Sequence, residues 1–233
     1  MPARKKAKLT FSEIAYRTLK QAVLRGEIPE GTFLHETEVA KRYGIGRTPL
    51  REACNRLHQQ QLVELVPRRG FMVRGISFRE VVDLFEFRLM LEVAAAELAI
   101  SRGSDAEIQE LGAILTEDCS SIEDLIQVNS RFHLSIAQMS RNAELAKTLG
   151  QILERYELLS YAEARSSKFT PQSFKELHEP IVDGLRNRDV TATRTAVCRD
   201  ILESQRLIFP PNPPEYSTTA ITQILSEAPA NWR

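Results

Sequence analysis

At 233 residues the chain exceeds the usual size of one domain, and a hydrophobic fraction of 42% is enough to pack two modest cores. The formal charge of zero hides an asymmetry, because residues 1–75 carry 15 Lys and Arg against 7 Asp and Glu, and the remainder 16 against 24. A basic first part beside an acidic remainder argues against a nonspecific nucleic-acid coat, and three distant cysteines, Cys54, Cys119 and Cys198, exclude a disulfide framework or a paired-cysteine metal site.

In chain order, residues 1–9 read as a basic arm with no apolar signal core behind it. A first helix is expected over residues 11–25, with Ile14, Leu19, Val23 and Leu24 among its apolar positions, ended by the turn around Gly26 and Gly31. Glu38-Val39-Ala40-Lys41-Arg42-Tyr43 reads as a short second helix, Gly44-Ile45-Gly46 as a tight turn, and residues 48–60 as a third helix with Leu50, Ala53, Cys54 and Leu57 on one face. Arg47 and Arg51, four apart, leave the start of that helix on a common side, where guanidiniums reach guanine edges or phosphates of a major groove. Val63-Glu64-Leu65-Val66, Pro67-Arg68-Arg69-Gly70 and Phe71-Met72-Val73-Arg74 read strand, turn, strand, a β-wing with two arginines at its tip. The bland alternative, a helical hairpin with solvated arginines, does not account for the basic hairpin that follows.

Beyond residue 75 the pattern is helical throughout. Ser77-Phe78-Arg79-Glu80 has the form of a capping box opening a helix to about residue 102. That stretch contains the most apolar run of the chain, residues 81–100, but Asp83, Glu86, Arg88, Glu92 and Glu97 mark it as buried helix rather than a membrane span. Further helices are expected over residues 106–117, 120–141, 143–161, 170–188 and 190–207, and the proline-rich run from Pro210 to Pro214 forbids helix there. The expected fold is mainly α: an N-terminal winged helix-turn-helix with a small β-wing over residues 10–75, a C-terminal all-α bundle over 77–208, and a Pro-rich tail over 209–233. The expected compartment is the cytoplasm.

Inside the bundle, Arg88 has Leu84, Phe85, Leu91 and Glu92 as its helical neighbours. A buried guanidinium needs a partner, since an isolated buried charge costs several kcal/mol. Two partners are open: Glu92 one turn on, or an organic acid bound bidentately.

These motifs carry a resemblance. Ile28-Pro29-Glu30-Gly31-Thr32-Phe33-Leu34, Glu38-Val39-Ala40, Arg47-Thr48-Pro49-Leu50-Arg51-Glu52-Ala53, Leu57 and Leu62-Val63 resemble the winged helix of the GntR family of bacterial transcription regulators. Phe87-Arg88 with Leu91-Glu92, Phe132-His133, Arg141-Asn142, and Leu177-His178 with Asp189 resemble the FCD-type ligand-binding domain of its FadR subfamily. The resemblance implies a homodimer on a palindromic double-stranded operator, here a repressor released by a small carboxylate effector. It implies DNA contacts from Arg47, Arg51 and Gly70 and an effector contact from Arg88, and Thr48 beside the first arginine and Arg68 and Arg69 at the wing tip complete the candidate DNA-binding set. Gly46 departs from the Ser or Thr usual before the first arginine and loses a hydroxyl's cap or phosphate bond. FCD domains commonly hold a divalent metal with an Asp or Asn four residues before a His and two further histidines. Carried over, the set is Asn129, His133, His178 and, in the third histidine's place, Asp200, for an ion of zinc, nickel or manganese type. A polar cluster without metal stays open. So do two other classes of function: a metal-dependent enzyme, which lacks an obvious general base or nucleophile here, and an architectural DNA-binding protein without an effector.

Overall fold

Helix caps set the framework, and most stand where the sequence places them. A computed structural model describes residues 10–163 and 170–208, so the basic arm and the Pro-rich tail lie outside the described residues. The chain divides into two compact units between Ile76 and Ser77.

In the first unit, α1 (Phe11–Leu24) begins at Thr10, whose hydroxyl accepts from the Glu13 amide. α2 (Glu36–Tyr43) starts two residues earlier than expected, with Glu36 and Glu38 favourably placed in its positive first turn. Gly44 ends it at φ +65, the left-handed conformation in which glycine meets no Cβ penalty. α3 (Arg47–Gln59) follows a Gly46 N-cap that offers no side-chain bond. β1 (Val63–Val66) and β2 (Gly70–Val73) pair antiparallel with Val63 opposite Val73 and Val66 opposite Gly70. A third short edge was not anticipated: Phe33 bridges Met72, the Leu34 amide donates to the Phe71 carbonyl at 2.7 Å, and the Gly31 amide to Val73 at 2.9 Å. The core holds Leu19, Leu50, Leu57 and Leu62, all essentially inaccessible, each stabilising by about 1.5–3 kcal/mol. Of the apolar positions of α1, Leu19, Val23 and Leu24 are buried and Ile14 is not. It is 45% exposed, while Ala15 and Tyr16 turn inward instead. Arg56 of α3 clasps α1, bonding Glu13 at 2.8 Å and lying 3.6 Å over the Tyr16 ring.

The second unit contains only helices among its described residues: α4 (Phe78–Arg102), α5 (Asp105–Ile114), α6 (Ile122–Met139), α7 (Ala143–Glu163), α8 (Pro171–Arg186) and α9 (Val190–Ile208). Capping boxes start α4, α5, α6 and α8 at Ser77, Ser104, Ser121 and Thr170. Two helices stop short of expectation for visible reasons. Leu115, Thr116 and Glu117 bond back only three residues, so α5 tightens and unwinds after Ile114. α6 ends at Met139 because Arg141 adopts φ +55. Two arginines then satisfy carbonyls at helix ends. Arg102 donates to the Ser140 carbonyl at 2.8 Å. Arg188, itself at φ +54 in the turn between α8 and α9, donates to the Ile100 and Gly103 carbonyls at 2.7 and 2.8 Å and bonds Asp105. α8 and α9 approach closely at Gly184, where a Cβ would stand 2.9 Å from the Thr193 backbone. No helix among the described residues is long and apolar enough to cross a membrane.

Candidate functional site

The four central helices of the bundle each deliver polar side chains to one buried point. Arg88 and Glu92 sit one turn apart on α4, Asn129 and His133 one turn apart on α6, His178 on α8 and Asp200 on α9, all buried. Arg88 is completely inaccessible. Its Nε donates to Glu92 Oε1 at 2.5 Å, its Nη2 lies 3.1 Å from His133 Nε2 and 4.0 Å from Asp200 Oδ2, and its guanidinium covers the Tyr156 ring of α7 at 4.3 Å. The remaining nitrogen, Nη1, has no hydrogen-bond partner.

His178 Nε2 and His133 Nε2 face each other at 3.1 Å, and the Asp200 carboxylate lies 3.4 Å from the imidazole of α6 and 3.5 Å from that of α8. The Phe132 ring stands edge-on to His178 at 4.6 Å, and Phe174 packs on the same imidazole at 4.3 Å, so the ring is wedged. Burial pushes the His178 imidazolium pKa down to about 4, against the opposing pull of Asp200, and the ring is neutral at pH 7. Burial by itself would raise the Glu92 carboxyl, but Arg88 and then His133 overcome it and hold it at about 2. Arg88 feels the same contest: burial disfavours its charge, and Glu92, Tyr156 and Asp200 more than restore it.

His133, His178 and Asp200 offer ligand atoms all within 4.8 Å of one another. Bonds of about 2.0–2.2 Å to one ion put neighbouring donors roughly 2.9–3.5 Å apart, so these separations fit a divalent ion. Asp200 Oδ2 has no hydrogen-bond partner, which a cation would supply. His178 also has the outer bond typical of a ligating imidazole, from Nδ1 to the Phe174 carbonyl at 2.6 Å. Asn129 is buried one turn before His133 on the same helix face. Sequence reasoning saw Glu92 only as a partner for Arg88. Its Oε2 also lies 2.5 Å from His133 Nδ1, a close contact out of line for a regular hydrogen bond. The spacing of Arg88 and Glu92 was readable; the second partner comes from another helix and left no local signal.

On the first unit, Arg47, Thr48, Arg51, Arg68 and Arg69 are all exposed. Arg47 Nε lies 3.7 Å from Glu36 Oε2, a surface pair worth at most about 1 kcal/mol and readily exchanged for a phosphate. At the wing tip the Arg69 amide donates to the Val66 carbonyl at 3.1 Å, Pro67 sets the first corner, and Arg68 takes the second at φ +65. That corner normally selects glycine. Gly70 follows at φ +96. The Arg69 guanidinium stacks 4.1 Å over the Phe33 ring, so the unanticipated third edge holds one of the two wing arginines.

Comparison with known proteins agrees with this architecture. Residues 83–203 match the FCD domain, and residues 11–73 match the family described as bacterial regulatory proteins, gntR family. The chain is 31% identical over 157 residues to the Nta operon transcriptional regulator of Aminobacter aminovorans, covering 66% of this chain and 75% of that protein. It is 28% identical over 197 residues to the HTH-type transcriptional repressor RspR of Escherichia coli K12, covering 81% and 84%. The solved structure of E. coli McbR/YncC superposes with a TM-score of 0.70 at 20% identity, covering 86% of this chain and 98% of that one. With its FCD domain spanning more than half of the sequence and a gntR-type winged helix before it, the chain belongs to the GntR family and is a DNA-binding transcriptional regulator with a small-molecule-binding domain, not an enzyme.

Proposed function

We propose that the protein is a cytoplasmic homodimeric repressor whose hold on a palindromic operator is set by a small carboxylate bound in the helical unit. Arg47, Thr48 and Arg51 read the major groove, while Arg68, Arg69 and Gly70 meet the flanking minor groove or phosphates. The outer face of α4 supports the dimer: Phe87 is 45% and Met90 53% exposed, beside half-buried Leu91, Ala94 and Leu98. An apolar helix face of that kind fits a second copy of itself.

The observation that carries the effector half is the buried Arg88, which keeps one unpartnered nitrogen beside two imidazoles and Asp200. Formally the cluster bears one positive and two negative charges, so an acid alone would meet a net negative site. A divalent ion held by His133, His178 and Asp200, with Asn129 beside them, supplies the positive charge that lets an organic acid bind there. Arg88 anchors the acid, Glu92 holds the Arg88 stem, and Phe132 and Phe174 keep His178 in place. Effector binding then shifts the balance between two dimer states with different operator affinity. The short bond from Arg88 to Glu92 favours a second reading, in which this arginine serves only the core.

Fluorescence anisotropy on operator fragments from the adjacent genes, with calorimetry of short carboxylic acids, tests the proposal. The expected result is release of DNA by one acid whose affinity falls at least tenfold in Arg88→Ala. Unchanged acid affinity in that variant returns Arg88 to the core role, and a monomer in light scattering at micromolar concentration, with and without operator, removes the dimer.

A further inference from the structure

The tautomers of the two facing histidines follow from their outer neighbours. His178 Nδ1 lies 2.6 Å from the Phe174 carbonyl, which only accepts, so Nδ1 carries the proton and Nε2 presents a lone pair. Arg88 Nη2, which only donates, lies 3.1 Å from His133 Nε2, so that nitrogen too presents a lone pair, and Nδ1, in close contact with a Glu92 oxygen at 2.5 Å, carries the proton. The two Nε2 atoms are 3.1 Å apart, and with a lone pair on each neither donates to the other. The donor that reaches this gap is Arg88 Nη2, 3.1 Å from His133 Nε2 and 4.0 Å from Asp200 Oδ2.

A lone pair serves one partner. The nitrogen that His133 would give to a metal is the one on which Arg88 rests, and a guanidinium beside a dication is repelled by it. We propose that Arg88 is a resident cation that closes the site, that its bond to His133 and the binding of a divalent ion exclude each other, and that its displacement is what prepares it for the effector. This rests on the reading of His133, His178 and Asp200 as a divalent-ion site. Arg88 does not leave the cluster when it lets go of His133, because Nε stays on Glu92 one turn along α4. Freed Nη2 then stands beside Nη1, which has no partner already. Together they form the paired N–H edge that binds a carboxylate bidentately. The consequence is positive coupling: ion first, acid second, each raising the other's affinity.

The test uses full-length protein stripped with chelator and titrated with Co²⁺, whose visible absorption reports ligation directly. The comparison is Arg88→Leu/Glu92→Gln, which removes the guanidinium but keeps the formal charge of the cluster, so a change is not a simple charge effect. The amide oxygen introduced by Glu92→Gln keeps an acceptor facing His133 Nδ1, and replacing a buried ion pair with uncharged side chains of similar size is usually tolerated. Competition with a chromogenic chelator should give at least tenfold tighter Co²⁺ binding in the double variant. Equal or weaker binding overturns the competition and leaves the metal site standing. No binding by either protein overturns the metal reading and the competition with it. Should the variant fail to fold by circular dichroism, wild-type protein with ¹⁵N-labelled arginine decides. Zn²⁺ must shift the buried guanidinium resonance, and a resonance that stays put while zinc is bound overturns the proposal.

Discussion

Replacing Gly184 with alanine puts a methyl group where α8 and α9 leave no room for one. Its carbon would stand 2.5 Å from Thr193 Oγ1 and 2.9 Å from both the Thr193 Cα and its backbone nitrogen. Carbon contacts settle near 3.5–4.0 Å, so the helices must part by about 0.6 Å or more. Two of the three obstacles are backbone, which no side-chain rotation clears. Overpacking of this kind costs about 1–3 kcal/mol, and the rigid obstacle places it toward the upper end. Alanine returns about 1 kcal/mol through its better helix propensity. The net is a loss of roughly 2 kcal/mol, or about 4–8 °C in Tm for a chain of this size. Thermal unfolding followed by circular dichroism measures it, with Gly112→Ala as the control. A Cβ at Gly112 meets its nearest neighbour, Val182 Cγ1, at an ordinary 3.5 Å, so that variant should hold or gain stability. Adding Thr193→Ala to Gly184→Ala should restore only part of the loss, because the backbone clash remains. The same parting widens the 3.5 Å separation between His178 and Asp200, so Co²⁺ affinity should fall with Tm. A Gly184→Ala protein that melts at or above wild type refutes the close helix approach on which this reasoning depends.

Arg47→Ala and Arg51→Ala should each weaken specific operator binding by about 1–3 kcal/mol; a double variant with full affinity in anisotropy assays would sink the assignment of α3. Arg68→Gly should raise stability by roughly 1 kcal/mol by relieving its left-handed backbone, while lowering the slope of log affinity against log salt by about one; a variant no more stable than wild type shows that the corner is unstrained. Glu92→Ala strands the buried Arg88 charge and should cost about 3–5 kcal/mol in denaturant unfolding, and a loss under about 1 kcal/mol would mean that Arg88 is paired elsewhere. Backbone and side-chain bonds from Ser104, then Arg141, hold the Glu107 carboxyl at about 2, so its stabilisation is present above pH 4.5 and lost as pH falls toward 2; urea titrations at pH 5 and pH 3 should show a smaller acid loss in Glu107→Gln than in wild type.

The winged helix was legible because its signals are local. Gly44, Pro67 and Gly70 punctuate the turns, and Leu50, Ala53, Cys54 and Leu57 repeat at helical spacing. The capping boxes at Ser77 and Ser121 are equally local, since a side chain three residues away answers the cap. Phe33 was not legible as part of a sheet, because its strand consists of a single bridge whose bonds come from β2, about forty residues on. The exposure of Ile14 was not legible either, because a helical stripe of apolar residues does not say which edge of the stripe faces inward. In the bundle, the metal-type set of Asn129, His133, His178 and Asp200 could be named only through the resemblance to FCD domains. The contact between Glu92 and His133, and the ring of Tyr156 beneath Arg88, depend on which helices become neighbours, and that is decided by the whole core.

Arg188 fixes one end of α4 through the Ile100 and Gly103 carbonyls, in the turn that joins the helices of His178 and Asp200. A stiff rod that pivots about one end magnifies a push in proportion to distance. Arg88 lies twelve residues from Ile100 and Phe78 twenty-two, or roughly 18 and 33 Å along the axis at 1.5 Å per residue. The leverage of such a pivot is close to twofold: a displacement of about 1 Å at Arg88 would become about 1.8 Å at Phe78. Phe78 is the end of α4 that follows the wing in the chain, so a pivot of α4 about the Arg188 bonds would enlarge there a rearrangement no larger than one hydrogen bond.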